Sequence, residues 1–133
     1  MNLRYLVDTD WVIDYLNGQR EIVNKLSEFQ AEGVGLCVVC LAELWEGVFY
    51  STDPEGNEGH LRNFLCGVSP IGIDEQTCRI FGKERGRLRA RKKSLGDFDL
   101  LIGATALRHG LVLLTNNRRH FELIEGLKLG PVV

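Results

Sequence analysis

Three carboxylates stand where an acid can do chemistry. Asp8 follows directly on the apolar run Leu3 to Val7, Glu43 lies inside Leu41-Ala42-Glu43-Leu44-Trp45, and Asp99 opens the apolar segment from Leu100 to Leu107. Each alone has a bland explanation: Asp8 and Asp99 as helix N-caps, with Asp97 competing for the second cap, and Glu43 as a solvated helix carboxylate. Gly47, four residues after Glu43 and so on the same helical face, is small enough to let another group approach. Gly103 and Ala106 stand in the same way beside Asp99, so that it can face a cavity. Three carboxylates brought together repel one another unless a cation sits between them. Oxygen donors without well-spaced His or Cys favour Mg²⁺ or Mn²⁺ over zinc, and such ions acidify water and stabilise charge on a phosphodiester.

A basic segment precedes the third acid. From Arg79 to Lys93 there are eight basic residues, among them Arg85, Arg87, Arg89, Arg91 and Lys92, against the single acid Glu84, while the chain as a whole carries formal net charge −2. One reading is a stripe that holds the backbone of a nucleic acid; the other is a solvated helix face.

The elements that must position these groups follow from periodicity. Leu3 to Val7 reads as a strand, the Asp8-Thr9-Asp10 turn can cap a helix through Leu16, and a second helix is marked by Ile22, Val23, Leu26 and Phe29. A buried strand over Leu36 to Val39 leads into a helix from Leu41 to Tyr50, which the Asp53-Pro54-Glu55-Gly56-Asn57 turn ends, with a short helix over Leu61 to Leu65. Ser69 to Ile73 is a third strand, followed by a helix around Cys78, Phe81 and Leu88 whose outer face carries the basic run. Asp97 to Arg108 is apolar nearly all round and reads as a buried helix. Leu111 to Leu114 is a fourth strand, Thr115-Asn116-Asn117 its turn, Arg118 to Ile124 a short helix and Leu127 to Val133 a last edge strand. Alternating strands and helices imply an α/β fold, a three-layer α/β/α arrangement around a mostly parallel sheet. In such sheets the functional crevice lies beyond the carboxyl ends of the strands, where Asp8 and Thr115-Asn116-Asn117 fall.

With 133 residues the chain has the size of a single domain, residues 1–133, with room for a self-supporting core. Its apolar runs are far shorter than a bilayer span, and Asp8 and Asp10 come too early for a signal peptide, so a cytoplasmic protein with no membrane partner is expected. Cys37 and Cys40 have a CxxC spacing, but Cys66 and Cys78 do not complete a zinc site, and Cys37 lies within an apolar run rather than at an exposed helix start. All four are expected as buried thiols.

The chain resembles the PIN-domain ribonucleases, most closely the VapC type of bacterial toxin–antitoxin systems. The resemblance covers essentially the whole chain and rests on Leu6-Val7-Asp8-Thr9-Asp10, Leu41-Ala42-Glu43-Leu44-Trp45-Glu46-Gly47, Asp99-Leu100-Leu101-Ile102-Gly103-Ala104-Thr105-Ala106 and Leu114-Thr115-Asn116-Asn117-Arg118-Arg119-His120-Phe121 in that order. It implies that Asp8, Glu43 and Asp99 bind metal, and that Thr115 and Asn117 complete the catalytic site. It also implies that Mg²⁺, or Mn²⁺, serves endoribonucleolytic hydrolysis of an RNA substrate, that a small cognate antitoxin occupies the site, and that the chain forms a homodimer. Many relatives carry a fourth acid after the threonine, where this chain has Asn116, Asn117 and His120. Asn117 is ranked first to replace that acid, ahead of Asp97, and the departure leaves one rival reading: a PIN-fold partner of a DNA-binding antitoxin with weak or no nuclease activity. A flavodoxin-like nucleotide-binding module is disfavoured by the lack of a Gly-rich phosphate loop.

Overall fold

A computed structural model describes residues 2–133. The chain runs β1 (Tyr5–Val7), α1 (Thr9–Leu16), α2 (Arg20–Gln30), β2 (Val34–Cys37), α3 (Val38–Phe49), α4 (Pro54–Leu65), β3 (Ser69–Ile71), α5 (Glu75–Ala90), α6 (Asp97–His109), β4 (Val112–Leu114) and α7 (Arg118–Phe121). The four strands form one parallel sheet in the order β3-β2-β1-β4. The strands are short, and β1, β2 and most of β4 are buried, as expected of a parallel sheet covered by helices on both faces. The expected three-layer α/β/α architecture is what the chain adopts.

Successive strands step outward from β1 to β2 to β3, and the chain then returns to lay β4 on the other side of β1. The winding therefore reverses between β1 and β4, and a crevice opens at the carboxyl ends of such a pair. Asp8 leaves β1 and Thr115 leaves β4 at this point, joined by the Asp8 amide donating to the Leu114 carbonyl at 2.9 Å.

Several boundaries differ from the sequence expectation. Val38 and Val39 belong to α3 rather than to the second strand, because the backbone turns helical immediately after Cys37. Asp53-Pro54 starts a helix instead of only ending one: the Asp53 side chain accepts from the Gly56 amide at 3.1 Å and Pro54 occupies the first turn, where its missing N–H costs nothing. No strand forms over Leu127 to Val133; Leu129 makes one isolated bridge to Leu113, and Pro131 has no N–H to extend it. Cys37 and Cys40 are buried, but Cys66 and Cys78 are exposed at a helix end and on the outer side of α5, which corrects the expectation of four buried thiols.

The helix that carries most of the basic segment, α5, and the helix after it, α6, run antiparallel. Arg108 near the end of α6 pairs with Asp74 at the start of α5 (3.1 Å), while Arg85 in the second half of α5 pairs with Asp97 at the start of α6. The carboxyl end of α5, with Arg89, Arg91 and Lys92, therefore lies at the α6 end that carries Asp99.

Candidate active site

Asp8, Thr9, Asp10, Ile13, Glu43, Asp99, Asn116 and Asn117 line one open depression at the carboxyl end of the sheet. Asp8 is 6% exposed. Its Oδ1 accepts from the Thr9 amide at 2.8 Å, capping α1, and its Oδ2 accepts from the buried Thr115 hydroxyl at 2.7 Å. The same carboxylate thus caps α1 and lines the depression. Thr9 does not use its hydroxyl on Asp8: it donates to Glu43 Oε1 at 2.9 Å and ties α3 to the start of α1. Thr115 Oγ1 also accepts from the Asn117 amide at 3.0 Å, so one hydroxyl fixes both Asp8 and the turn after β4.

Asp10 belongs to the same cluster, a placement the sequence reading missed. Its Oδ1 accepts from the Trp11 amide at 2.7 Å and its Oδ2 from the Asn116 amide at 2.9 Å. The only sequence signal is its position two residues after Asp8; its partner amide is on the far side of the chain. Asn116 is held by the Trp11 indole N–H at 3.1 Å and donates to Asp14 at 3.2 Å. His120, also outside the expected site, brings Nδ1 within 3.2 Å of Asp99 Oδ2 and 2.8 Å of the Asn117 amide nitrogen.

Asp97 is not in the depression; it is exposed and pairs with Arg85, which also donates to the Leu95 carbonyl at 2.6 Å. Gly103 does not open a cavity beside Asp99 either: a Cβ there would stand 2.3 Å from Ile124 Cδ1, so the glycine lets the segment after α7 pack closely on α6. Within the basic run, Glu84 is buried and turns Arg87 inward. Arg87 makes two 2.9 Å bonds to Glu84, pairs with Glu125 at 3.3 Å and donates to the Leu123 carbonyl at 2.6 Å. Arg85 and Arg87 are therefore engaged within the fold, whereas Arg89, Arg91 and Lys92 are exposed.

Asp8, Asp10 and Glu43 pair with no Lys or Arg among the described residues, and Asp99 meets only His120. Burial, followed by the charge of Asp10, pushes the Asp8 carboxyl up to about 7 against the pull of its two hydrogen bonds. Asp10 is raised too, chiefly by burial. An uncompensated cluster of this kind holds a proton until a cation replaces it.

The donor set tests the divalent-ion reading. Carboxylates and an amide at one depression fit a hard ion in kind. Among the described residues no three His, Cys, Asp or Glu side chains already close on one point, so carboxylates of the depression would have to draw closer to share an ion.

The PIN domain family model matches residues 5–127. The chain belongs to the PIN-domain family. It is 31% identical over 128 residues to a protein of Haemophilus influenzae named Ribonuclease VapC2, covering 95% of this chain and 96% of that one. It is 27% identical over 127 residues to a protein of Salmonella typhimurium named tRNA(fMet)-specific endonuclease VapC, covering 96% of each. Among solved structures, VapBC2 of Rickettsia felis bound to a DNA fragment from its promoter superposes with a TM-score of 0.90 at 27% identity, covering 96% of this chain and 98% of that one. This PIN-domain chain has no helix among the described residues long and apolar enough to cross a membrane.

Proposed function

We propose that the chain is a divalent-metal-dependent endoribonuclease and the toxin of a type II toxin–antitoxin pair. The observation that carries the reading is the set of four acids, Asp8, Asp10, Glu43 and Asp99, around one depression without a Lys or Arg partner. The full-length likeness to proteins named as VapC ribonucleases supports the same chemistry.

Asp8, Glu43 and Asp99 would hold Mg²⁺, with Mn²⁺ able to replace it, and Asn117 would offer a neutral carbonyl oxygen where relatives carry an acid. When bound, the ion supplies acidity to water and countercharge to the phosphate under attack. The chain's own groups do the rest. Asp8, whose carboxyl pKa is raised by burial, would have to give up its proton to hold the ion. Thr115 and the Thr9 amide hold the Asp8 carboxylate in one orientation, and the Thr9 hydroxyl holds Glu43. The Asp10 carboxylate keeps the turn after β4 in place. Arg89, Arg91 and Lys92 would grip the RNA backbone on its way to Asp99, while Arg85 and Arg87 serve the fold.

The Rickettsia felis structure and a DNA-bound Salmonella typhimurium VapBC at TM-score 0.89 are complexes with an antitoxin. By that likeness this chain would be held inactive in the cytoplasm by a small cognate antitoxin and would assemble as a homodimer. The test is cleavage of RNA by the isolated chain in Mg²⁺, compared with chelator and with Asp99→Asn. Cleavage that survives both changes overturns the proposal.

A further inference from the structure

The acidic depression is not the only hollow at this end of the molecule. A groove of about 280 Å³ lies between α1, α3 and α4, and it shares two residues, Ile13 and Glu43, with the acidic site. Its walls are apolar, from Ile13, Leu16, Leu44 and Val48, and its edge is polar, from Asn17, Asn57 and His60. Asn57 gives its amide N–H to Ser51 Oγ at 2.9 Å, and among the described residues its carbonyl oxygen and the side chains of Asn17 and His60 bond to no other side chain.

Gly47 forms part of the floor. It sits inside α3, where glycine is the poorest ordinary helix former, yet nothing lies within 4 Å of the position a Cβ would take. Packing therefore does not demand glycine here, and helix formation opposes it. What glycine does at this position is keep the groove open, one helical turn from Glu43.

We propose that this groove is a nucleobase subsite, which seats a base of the RNA strand next to the phosphate held at the acidic depression and so gives cleavage a sequence preference. The proposal rests on the nuclease reading above. Its grounds are continuity, size and chemistry. A strand with a phosphate between Asp8 and Asp99 places the neighbouring nucleotide beside Ile13 and Glu43, where the groove begins. Its flat aliphatic walls suit the face of a base, and its rim of amide and imidazole groups suits the hydrogen-bonding edge. Glu43 is the only Asp, Glu, Lys or Arg in the lining, so no second phosphate belongs there.

Gly47→Leu tests this without replacing an acid. Leucine favours the helix and its Cβ meets nothing within 4 Å, so the variant is expected to melt at or above the temperature of the starting protein while the rest of its side chain packs into the groove. A random single-stranded RNA pool is cut in Mg²⁺ and the ends are sequenced, and Mn²⁺ affinity is measured in parallel by calorimetry. The expected result is a base preference of about tenfold or more beside the cut in the unaltered chain. Gly47→Leu should flatten that preference, His60→Ala and Asn17→Ala should reduce it, and Mn²⁺ affinity should be unchanged in all three. A preference that survives in Gly47→Leu overturns the subsite and leaves the groove to an apolar segment of a protein partner. Cutting without any base preference overturns the subsite alone. An unaltered chain that cuts no RNA overturns the nuclease reading and the subsite with it.

Discussion

Asp8→Asn separates the stability of this site from its function. In the unfolded chain Asp8 loses its proton near 3.8, whereas in the fold it keeps it up to about 7. Between these values the folded state binds more protons than the unfolded one, so stability falls as pH rises through the window. A rise of about three units at 1.36 kcal/mol each sets a ceiling of about 4 kcal/mol, and because Asp10 shares the strain, about 2 to 4 kcal/mol is expected between pH 4 and pH 8. Asparagine escapes the penalty. Its carbonyl can accept from the Thr9 amide, and its NH₂ can donate to Thr115 Oγ1, whose hydroxyl proton then turns to Asp10 Oδ2, 3.5 Å away. In chelator, thermal melts of the two proteins should nearly coincide at pH 4, and the variant should melt about 5 to 10 °C higher at pH 8. Saturating Mn²⁺ should reverse the order, because only the unaltered protein gains binding energy. A variant that melts lower than the parent by the same margin at both pH values refutes the reasoning.

Asn117→Asp should tighten Mg²⁺ binding and preserve or raise cleavage, whereas Asn117→Ala should lower cleavage and leave the melting temperature nearly unchanged; a Mg²⁺ titration of cleavage rate reads both. Neutralising Arg89, Arg91 and Lys92 together should reduce the slope of log RNA affinity against log salt by about 0.7 per lost phosphate contact, with Mn²⁺ affinity retained. Arg87→Ala should lower the melting temperature by stranding the buried Glu84 carboxylate, and adding Glu84→Gln should recover part of the loss, as measured by thermal melts.

The sequence made the strand–turn–acid units legible because each depends on local signals. An apolar run followed by Asp8-Thr9-Asp10, or by Thr115-Asn116-Asn117, marks a strand's carboxyl end without knowledge of its neighbours. The order β3-β2-β1-β4 carries no such local mark, but it is what brings residues 8 and 115 together. Asp10 was missed for the same reason: its decisive partner is the Asn116 amide, 106 positions along the chain. Asp99 does face the depression, but not on account of Gly103, which is small for a different purpose, the approach of Ile124. A glycine in a sequence shows that space is needed and not what fills it. At Gly47 the fold leaves open space, with nothing within 4 Å of the position a Cβ would take.

The basic run shows why charge density alone does not identify an interface. Helical register divides it: Glu84 and Leu88 face inward, Arg87 is drawn in with Glu84, and Arg85 is drawn toward Asp97 across the turn between helices. Because α5 and α6 are antiparallel, tied by the Arg85–Asp97 and Arg108–Asp74 pairs, the exposed cations at the end of α5 fall at the end of α6 that presents Asp99. Arg85 thus aligns the helix that carries Asp99, and the exposed Arg89, Arg91 and Lys92 are left where they would attract a polyanion. An acidic depression repels RNA unless cations stand next to it, and salt would weaken the attraction of those exposed cations for RNA far more than a multivalent site's hold on a divalent ion. Raising ionic strength should therefore increase KM for RNA well before it lowers kcat, and a parallel loss of both would place the exposed arginines outside the path of the substrate.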